Sequence, residues 1–252
     1  MLKRGTSLGD SAALAFEGPA ESTISDYVAR EFRLGPLQYA IWLHNKFCLT
    51  PRLDAVLSSI RAVLSRQPYR ASLALELLGI SSREFSNSFS GLLAGADLDT
   101  AQADSIRLSL QRKIHKSWRI VRSKRFRVEP ELSCDVENSA ELTSEGILRF
   151  ARSTCRPYCR LAPILQKRSV ECRRIIDVID VQLPKSENAR RRKALKALQN
   201  PRLFNPKQCR DLGDAAIVLL CPPDARLLTT NLKDFDPLCT ALKVVCSAPV
   251  AK

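Results

Sequence analysis

The chain has 252 residues, 45% of them hydrophobic, with 40 Lys and Arg against 26 Asp and Glu. That supplies the core of one large domain or two small ones, and the net charge of +14 points to a polyanion such as nucleic acid. No stretch is long and apolar enough to span a bilayer, and the opening MLKRGTSLGDSAALAFEG does not read as a signal peptide, so a cytoplasmic chain without a membrane partner is expected. The nine cysteines are odd in number and scattered, which fits reduced thiols used mostly as small core residues.

Residues 1–20, rich in Gly, Ser and Ala, are expected to form a disordered tail. Residues 21–125 are expected to form an all-α region. Within it, residues 37–43 read as a buried helix, with His44 beside Trp42 as a packed residue rather than a ligand. Leu53, Val56, Leu57, Ile60, Val63 and Leu64 share one helical face, and Pro68 stands beyond its end. Residues 71–93 resemble the helix-turn-helix of bacterial DNA-binding domains, with Gly79 in the turn, Ile80 and Phe85 in the core, and Ser81 with Glu84 as a capping box. Arg83 is the one basic residue on its second helix, so a capped helical hairpin explains the segment equally well. Ala101 to Val121 reads as a long helix with Ile106, Leu110, Ile114 and Trp118 on one stripe. Arg119, Arg122, Lys124, Arg125 and Arg127 make the junction that follows strongly basic.

Beyond that junction, Glu131–Asp135 reads as a short strand ending in an acid, and Leu142–Thr154 as a helix. Cys155 and Cys159 have the closeness of half a zinc site, but no second Cys/His pair accompanies them. Ile164–Val170 reads as a second strand, and Glu171 starts the next helix. Ser186 has the character of an N-cap for a helix carrying Arg190, Arg191, Arg192, Lys193 and Lys196, the most basic in the chain.

Residues 213–235 read GDAAIVLLCPPDARLLTTNLKDF. Asp214 opens an apolar run to Leu220, Pro222 and Pro223 end it, and Arg226–Thr230 has strand composition. Asn231, Asp234 and Asp236 cluster just past that strand, where sites form in open α/β sheets.

This stretch resembles the C-terminal half of PIN domains, the nuclease fold of many bacterial toxin ribonucleases. The matching residues are Asp214-Ala215-Ala216-Ile217 and Leu227-Leu228-Thr229-Thr230-Asn231-Leu232-Lys233-Asp234-Phe235. The resemblance implies an α/β fold for residues 126–252: a PIN-like α/β/α sandwich with a central, mostly parallel sheet. It further implies a metal-dependent endoribonuclease acting on single-stranded RNA, with Asp135, Glu171, Asp214 and Asp234 as ligands of Mg²⁺ or Mn²⁺. Asn231 stands where many members place Asp or Asn, and Thr230 is positioned for a water or phosphate. The Val136-Glu137-Asn138 that follows Asp135 departs from the family pattern, and the likeness is strong only over residues 213–235.

Hard cations prefer such carboxylate oxygens, and one or two of them polarise a phosphate and activate water. Arg190, Arg191, Arg192, Lys193, Lys196 and Arg125 are the candidate phosphate contacts. RNA is the expected partner, with a protein inhibitor of antitoxin type and a second copy of the chain as further candidates. Two rival readings stand beside it: a PIN-like module that binds RNA or protein without cleaving, and a DNA-binding regulator using residues 71–93. No nucleophilic triad, Walker loop or dinucleotide fingerprint is present, which disfavours nucleotide hydrolysis and hydride transfer.

Overall fold

The computed structural model describes residues 22–89, 98–126, 141–149, 161–182, 186–200 and 205–249. The expected tail at 1–20, the strand ending in Asp135, and the Cys155–Cys159 pair lie outside these residues. The described residues form two compact units, each assembled from separate stretches of chain. The first draws on 29–123 and 141–149, the second on 22–28, 124–126 and 161–249.

The first unit is helical. Helix α1 (Asp26–Phe32), whose residues from Ala29 onward belong to this unit, runs through a π-helical turn at Arg33–Leu37 into α2 (Gln38–Leu49). Pro36 sits inside that turn; proline has no N–H for an α-helical bond, and the wider turn absorbs the gap. Helices α3 (Leu53–Leu64), α4 (Pro68–Phe89) and α5 (Leu98–Ser123) follow. Helix α5 packs on α2 and α4, and α3 packs on α4. The seam on α5 is Ile106, Leu110, Ile114, Trp118 and Val121, all buried and three or four positions apart.

The predicted turn at Gly79 does not form: α4 is one uninterrupted helix, and this corrects the helix-turn-helix reading. Glycine in a helix costs only about 1 kcal/mol relative to alanine. The buried face Ala71, Ala74, Leu77, Leu78 and Ser81 runs straight through it and outweighs that cost. The predicted helix Leu142–Thr154 is also corrected over its described part. Residues 141–149 make a hairpin of β3 (Glu141–Leu142) and β4 (Leu148–Arg149). Gly146, at φ +75°, takes the left-handed turn conformation, and the Thr143 hydroxyl accepts from the Ile147 N–H at 3.2 Å.

Helix α2 holds this hairpin. The Asn45 amide oxygen accepts from the Leu148 N–H at 2.9 Å, and its NH₂ donates to the Leu148 carbonyl at 2.9 Å. The Cys48 thiol donates to the Gly146 carbonyl at 3.3 Å. His44 is fully buried beside them, with Nδ1 3.1 Å from the Asn45 amide oxygen. An amide oxygen only accepts, so Nδ1 carries the proton.

Burial pushes the His44 pKa down from 6.5; the Asn45 hydrogen bond opposes this, while Arg107 and His115 on α5 add to it. The unfolded chain therefore binds a proton more readily than the folded one below pH 6.5, and stability falls as pH drops through that value toward the folded pKa. Both tryptophans of the chain, Trp42 and Trp118, lie in this unit, so their fluorescence reports on it. We expect the fluorescence melting temperature to decline on acidification below about pH 6.5, and His44→Gln to flatten that decline. An unchanged slope in the variant would remove His44 as its source.

In the second unit, β1 (Ile24–Ser25) pairs in parallel with β2 (Arg125–Phe126), and the Tyr27 hydroxyl donates to the Cys209 carbonyl at 2.8 Å. The core is built from α6 (Leu161–Gln166), α7 (Ser169–Gln182), α8 (Ser186–Ala197), α9 (Pro206–Leu212) and α10 (Asp214–Leu220). Strand β5 (Arg226–Leu228), helix α11 (Leu232–Leu242) and strand β6 (Val245–Ser247) close the chain, with β5 and β6 parallel. Helix α10 is buried at five of its seven residues and packs with α7 and α11.

Among the described residues the strands form three separate two-stranded pairs, so the predicted α/β sandwich with a central parallel sheet is not the fold; the chain is mostly helical. The misreading has a local cause. The predicted strand Ile164–Val170 is instead the end of α6 and the start of α7. Leu161, Ala162 and Leu165 are buried at helical spacing, and an apolar run this short carries too little periodicity to separate strand from helix.

Candidate functional site

Helix α9 begins with a capping box: the Asn205 side chain accepts from the Lys207 and Gln208 N–H groups, and the Gln208 side chain returns to the Asn205 N–H. It ends at Gly213, whose φ of +51° and ψ of −130° suit glycine alone. A Cβ there would stand 3.2 Å from Arg191 Nη2. This corner sets Asp214 as the first residue of α10.

Asp214 faces Arg191. The guanidinium Nη2 donates to Asp214 Oδ2 at 3.1 Å, and Nη1 donates to the Asn188 side-chain oxygen at 3.0 Å. The Arg191 side chain is 6% exposed and that of Asp214 28%. Arg191 is thus a buried partner of Asp214 rather than a surface cation. Arg192 pairs with Asp180 at 2.9 Å. Arg190, Lys193 and Lys196 occupy exposed positions on α8, and the neighbouring α9 adds exposed Lys207 and Arg210. The five predicted basic residues of this helix therefore divide into two that form ion pairs and three that face solvent. The exposed three, 190, 193 and 196, lie three apart on one face, while 191 turns inward. Arg125 belongs to β2.

Asn231 and Asp234 meet just past β5. Asn231 Nδ2 donates to Asp234 Oδ2 at 2.9 Å, and the Asn231 N–H donates to the Thr229 hydroxyl at 3.1 Å. The Thr229 N–H in turn donates to the Ser247 carbonyl at 3.1 Å, which carries the β5–β6 ladder up to this corner. Asp234 lies in the first turn of α11, and Thr230 is exposed beside it.

Glu171 lies in the first turn of α7, as its sequence position suggests. Its carboxylate is held below the ordinary range, first by its own backbone N–H and then by Arg168, whose Nε donates to it at 3.2 Å. The same Arg168 donates through Nη1 to the Leu219 carbonyl. Leu219 is near the end of α10 and Asp214 begins it, about 7.5 Å of helical rise away. Glu171 is therefore anchored at the far end of α10 from Asp214. Asp135 lies outside the described residues.

Among the described residues no three His, Cys, Asp or Glu side chains are grouped to hold a metal ion. The six described cysteines are unbridged. Burial pushes the Cys172 thiol up to about 11 and Cys239 to about 12, Cys246 adding to the latter, so both stay protonated and act as core residues. The His44–Cys48 contact in the first unit has the residue types of a nucleophilic dyad without its geometry. The thiol proton goes to the Gly146 carbonyl, burial raises the thiol pKa, and Asn45 is committed to Leu148. No helix among the described residues is long and apolar enough to cross a membrane. The chain matches no protein-family model, no curated protein and no solved structure.

Proposed function

We propose that the second unit handles single-stranded RNA: the exposed cations of α8 hold its phosphate backbone, and the corner after β5 cleaves it with the help of Mg²⁺ or Mn²⁺. The observation that supports cleavage is the hydrogen-bonded Asn231–Asp234 pair at the carboxyl end of a parallel strand, flanked by Thr229 and Thr230. A small hard cation needs no closed cage. It takes one or two carboxylates together with substrate phosphate and keeps several waters. Asp234, and Asn231 through its amide oxygen, fit that requirement, and such an ion polarises the phosphate and neutralises the leaving oxygen. The chain's own contribution is positional. The Asn231–Asp234 bond fixes the carboxylate, and Thr229 fixes Asn231. Arg190, Lys193 and Lys196 offset the repulsion between acids and phosphate. The unbridged cysteines accord with a reducing cytoplasm.

Binding without cleavage is the second reading, and the Arg191–Asp214 and Arg168–Glu171 pairs favour it, since each holds a candidate ligand in a structural ion pair. A labelled single-stranded RNA incubated with the full chain separates the two. We expect cleavage with Mn²⁺, none after chelation, and a rate at least about tenfold lower for Asp234→Asn with RNA affinity retained. Asp214→Asn is informative in the same assay, because a fully active variant removes Asp214 from the site. RNA bound but left intact under all metal conditions establishes the second reading.

A further inference from the structure

We infer that the first unit carries its own phosphate-binding surface, a basic stripe along the outer face of α5. Arg112, Lys116 and Arg119 are exposed and stand at i, i+4 and i+7, so they share one face, with His115 exposed beside them. They cover about 10 Å of helix at 1.5 Å per residue, a length that spans neighbouring phosphates of a single strand. From Ser105 to Lys124 the sequence contains no Asp or Glu, so no carboxylate on this stretch neutralises the stripe.

Complementing the helix dipole does not account for it. Such an effect fades within the last turn, whereas Arg112 and Lys116 lie two to three turns before Ser123. Nor does α5 suit a lipid surface. A helix lying on a membrane offers an apolar face beside its cations. On α5 that face is Ile106, Leu110, Ile114, Trp118 and Val121, which the bundle buries; Leu108 is the one large hydrophobic that this helix leaves exposed among the described residues, too little to insert into a lipid surface. A polyanion gripped by charge alone fits the remaining surface, and we assign the stripe to the sugar-phosphate backbone of single-stranded RNA.

The inference takes its ligand from the proposed function but requires neither cleavage nor α8. Its test is the salt dependence of binding to a labelled RNA oligonucleotide. Each phosphate contact contributes about 0.7 to the slope of log K against log salt for single strands. The triple variant Arg112→Gln, Lys116→Gln and Arg119→Gln is therefore expected to lose about 2 from that slope. It should lose the same amount in a background where Arg190, Lys193 and Lys196 are already Gln. Glutamine is a good helix former at exposed positions, and tryptophan emission from Trp118 checks that the bundle is intact. Should the triple variant misfold, the single Arg119→Gln change is expected to remove about 0.7. An unchanged slope in folded variants overturns the inference. If the α8 variant still loses affinity there, the proposed function survives that failure. Binding to vesicles of anionic phospholipid that the triple variant abolishes, with RNA affinity unchanged, overturns it in favour of a membrane surface.

Discussion

Replacing Arg191 by Met lowers the unfolding free energy of the second unit by about 2–3 kcal/mol. The guanidinium is buried and joins two helices, reaching Asp214 at the start of α10 and Asn188 on its own α8. Breaking a fully buried ion pair by removing one partner costs about 3–5 kcal/mol, because a charge is left behind in low dielectric. The Asp214 side chain is 28% exposed, so solvent screens part of that penalty and the expected value is placed lower. Methionine retains bulk and helix propensity, which isolates the polar loss from a cavity. Urea denaturation followed by far-UV circular dichroism measures it. A companion change, Asp214→Asn, should recover part of the loss in the double variant, since the two residues are in contact and their effects couple. A loss below about 0.5 kcal/mol, the size of an ordinary surface substitution, would mean that the pair does not hold α8 to α10.

Asn45→Ala lowers the stability of the first unit by about 2–3 kcal/mol. Leu148 pairs with Leu142 across the hairpin, but its own N–H and C=O point the other way, into the Asn45 amide. Leu148 is fully buried, so water does not replace both bonds when the amide is removed. Each unsatisfied buried group costs about 1–3 kcal/mol, and partial solvation after the hairpin shifts keeps the sum in the stated range. Asn45→Asp keeps the acceptor for the N–H and loses the donor to the carbonyl, so it should fall between wild type and alanine. Denaturation monitored by tryptophan emission follows this unit, because Trp42 and Trp118 both belong to it. If alanine and aspartate prove equally mild, the hairpin is fastened by packing rather than by this amide.

What could be read from the chain was whatever is encoded locally. The stretch from Asp214 to Asp234 gave its helix, its strand and its acidic turn, because an apolar run, a proline pair and a β-prone segment follow one another without distant partners. The long amphipathic helix near 101–121 and the basic helix after Ser186 were legible for the same reason. The sheet was not. Two-residue strands such as β1 and β2 have no periodicity of their own and exist only through pairing across about a hundred residues. The inward turn of Arg191 was equally hidden. In a run of Arg190, Arg191, Arg192 and Lys193 nothing in the sequence marks which guanidinium meets an acid; the depth of Asp214 in the fold decides it. Gly79 shows the opposite error, a turn signal overruled by a buried face that runs unbroken on both sides of it.

The bond between the Tyr27 hydroxyl and the Cys209 carbonyl joins residues 182 positions apart. A ribosome delivers Cys209 182 residues after Tyr27, so over that interval of translation the Cys209 carbonyl has yet to reach the phenol. The helices of 29–123 contact mainly one another and can settle in the meantime, whereas the unit that contains Tyr27 completes only after residues 161–249 have emerged. A nascent chain halted before Cys209 would thus carry one finished body and one open one, a natural target for chaperones during that interval.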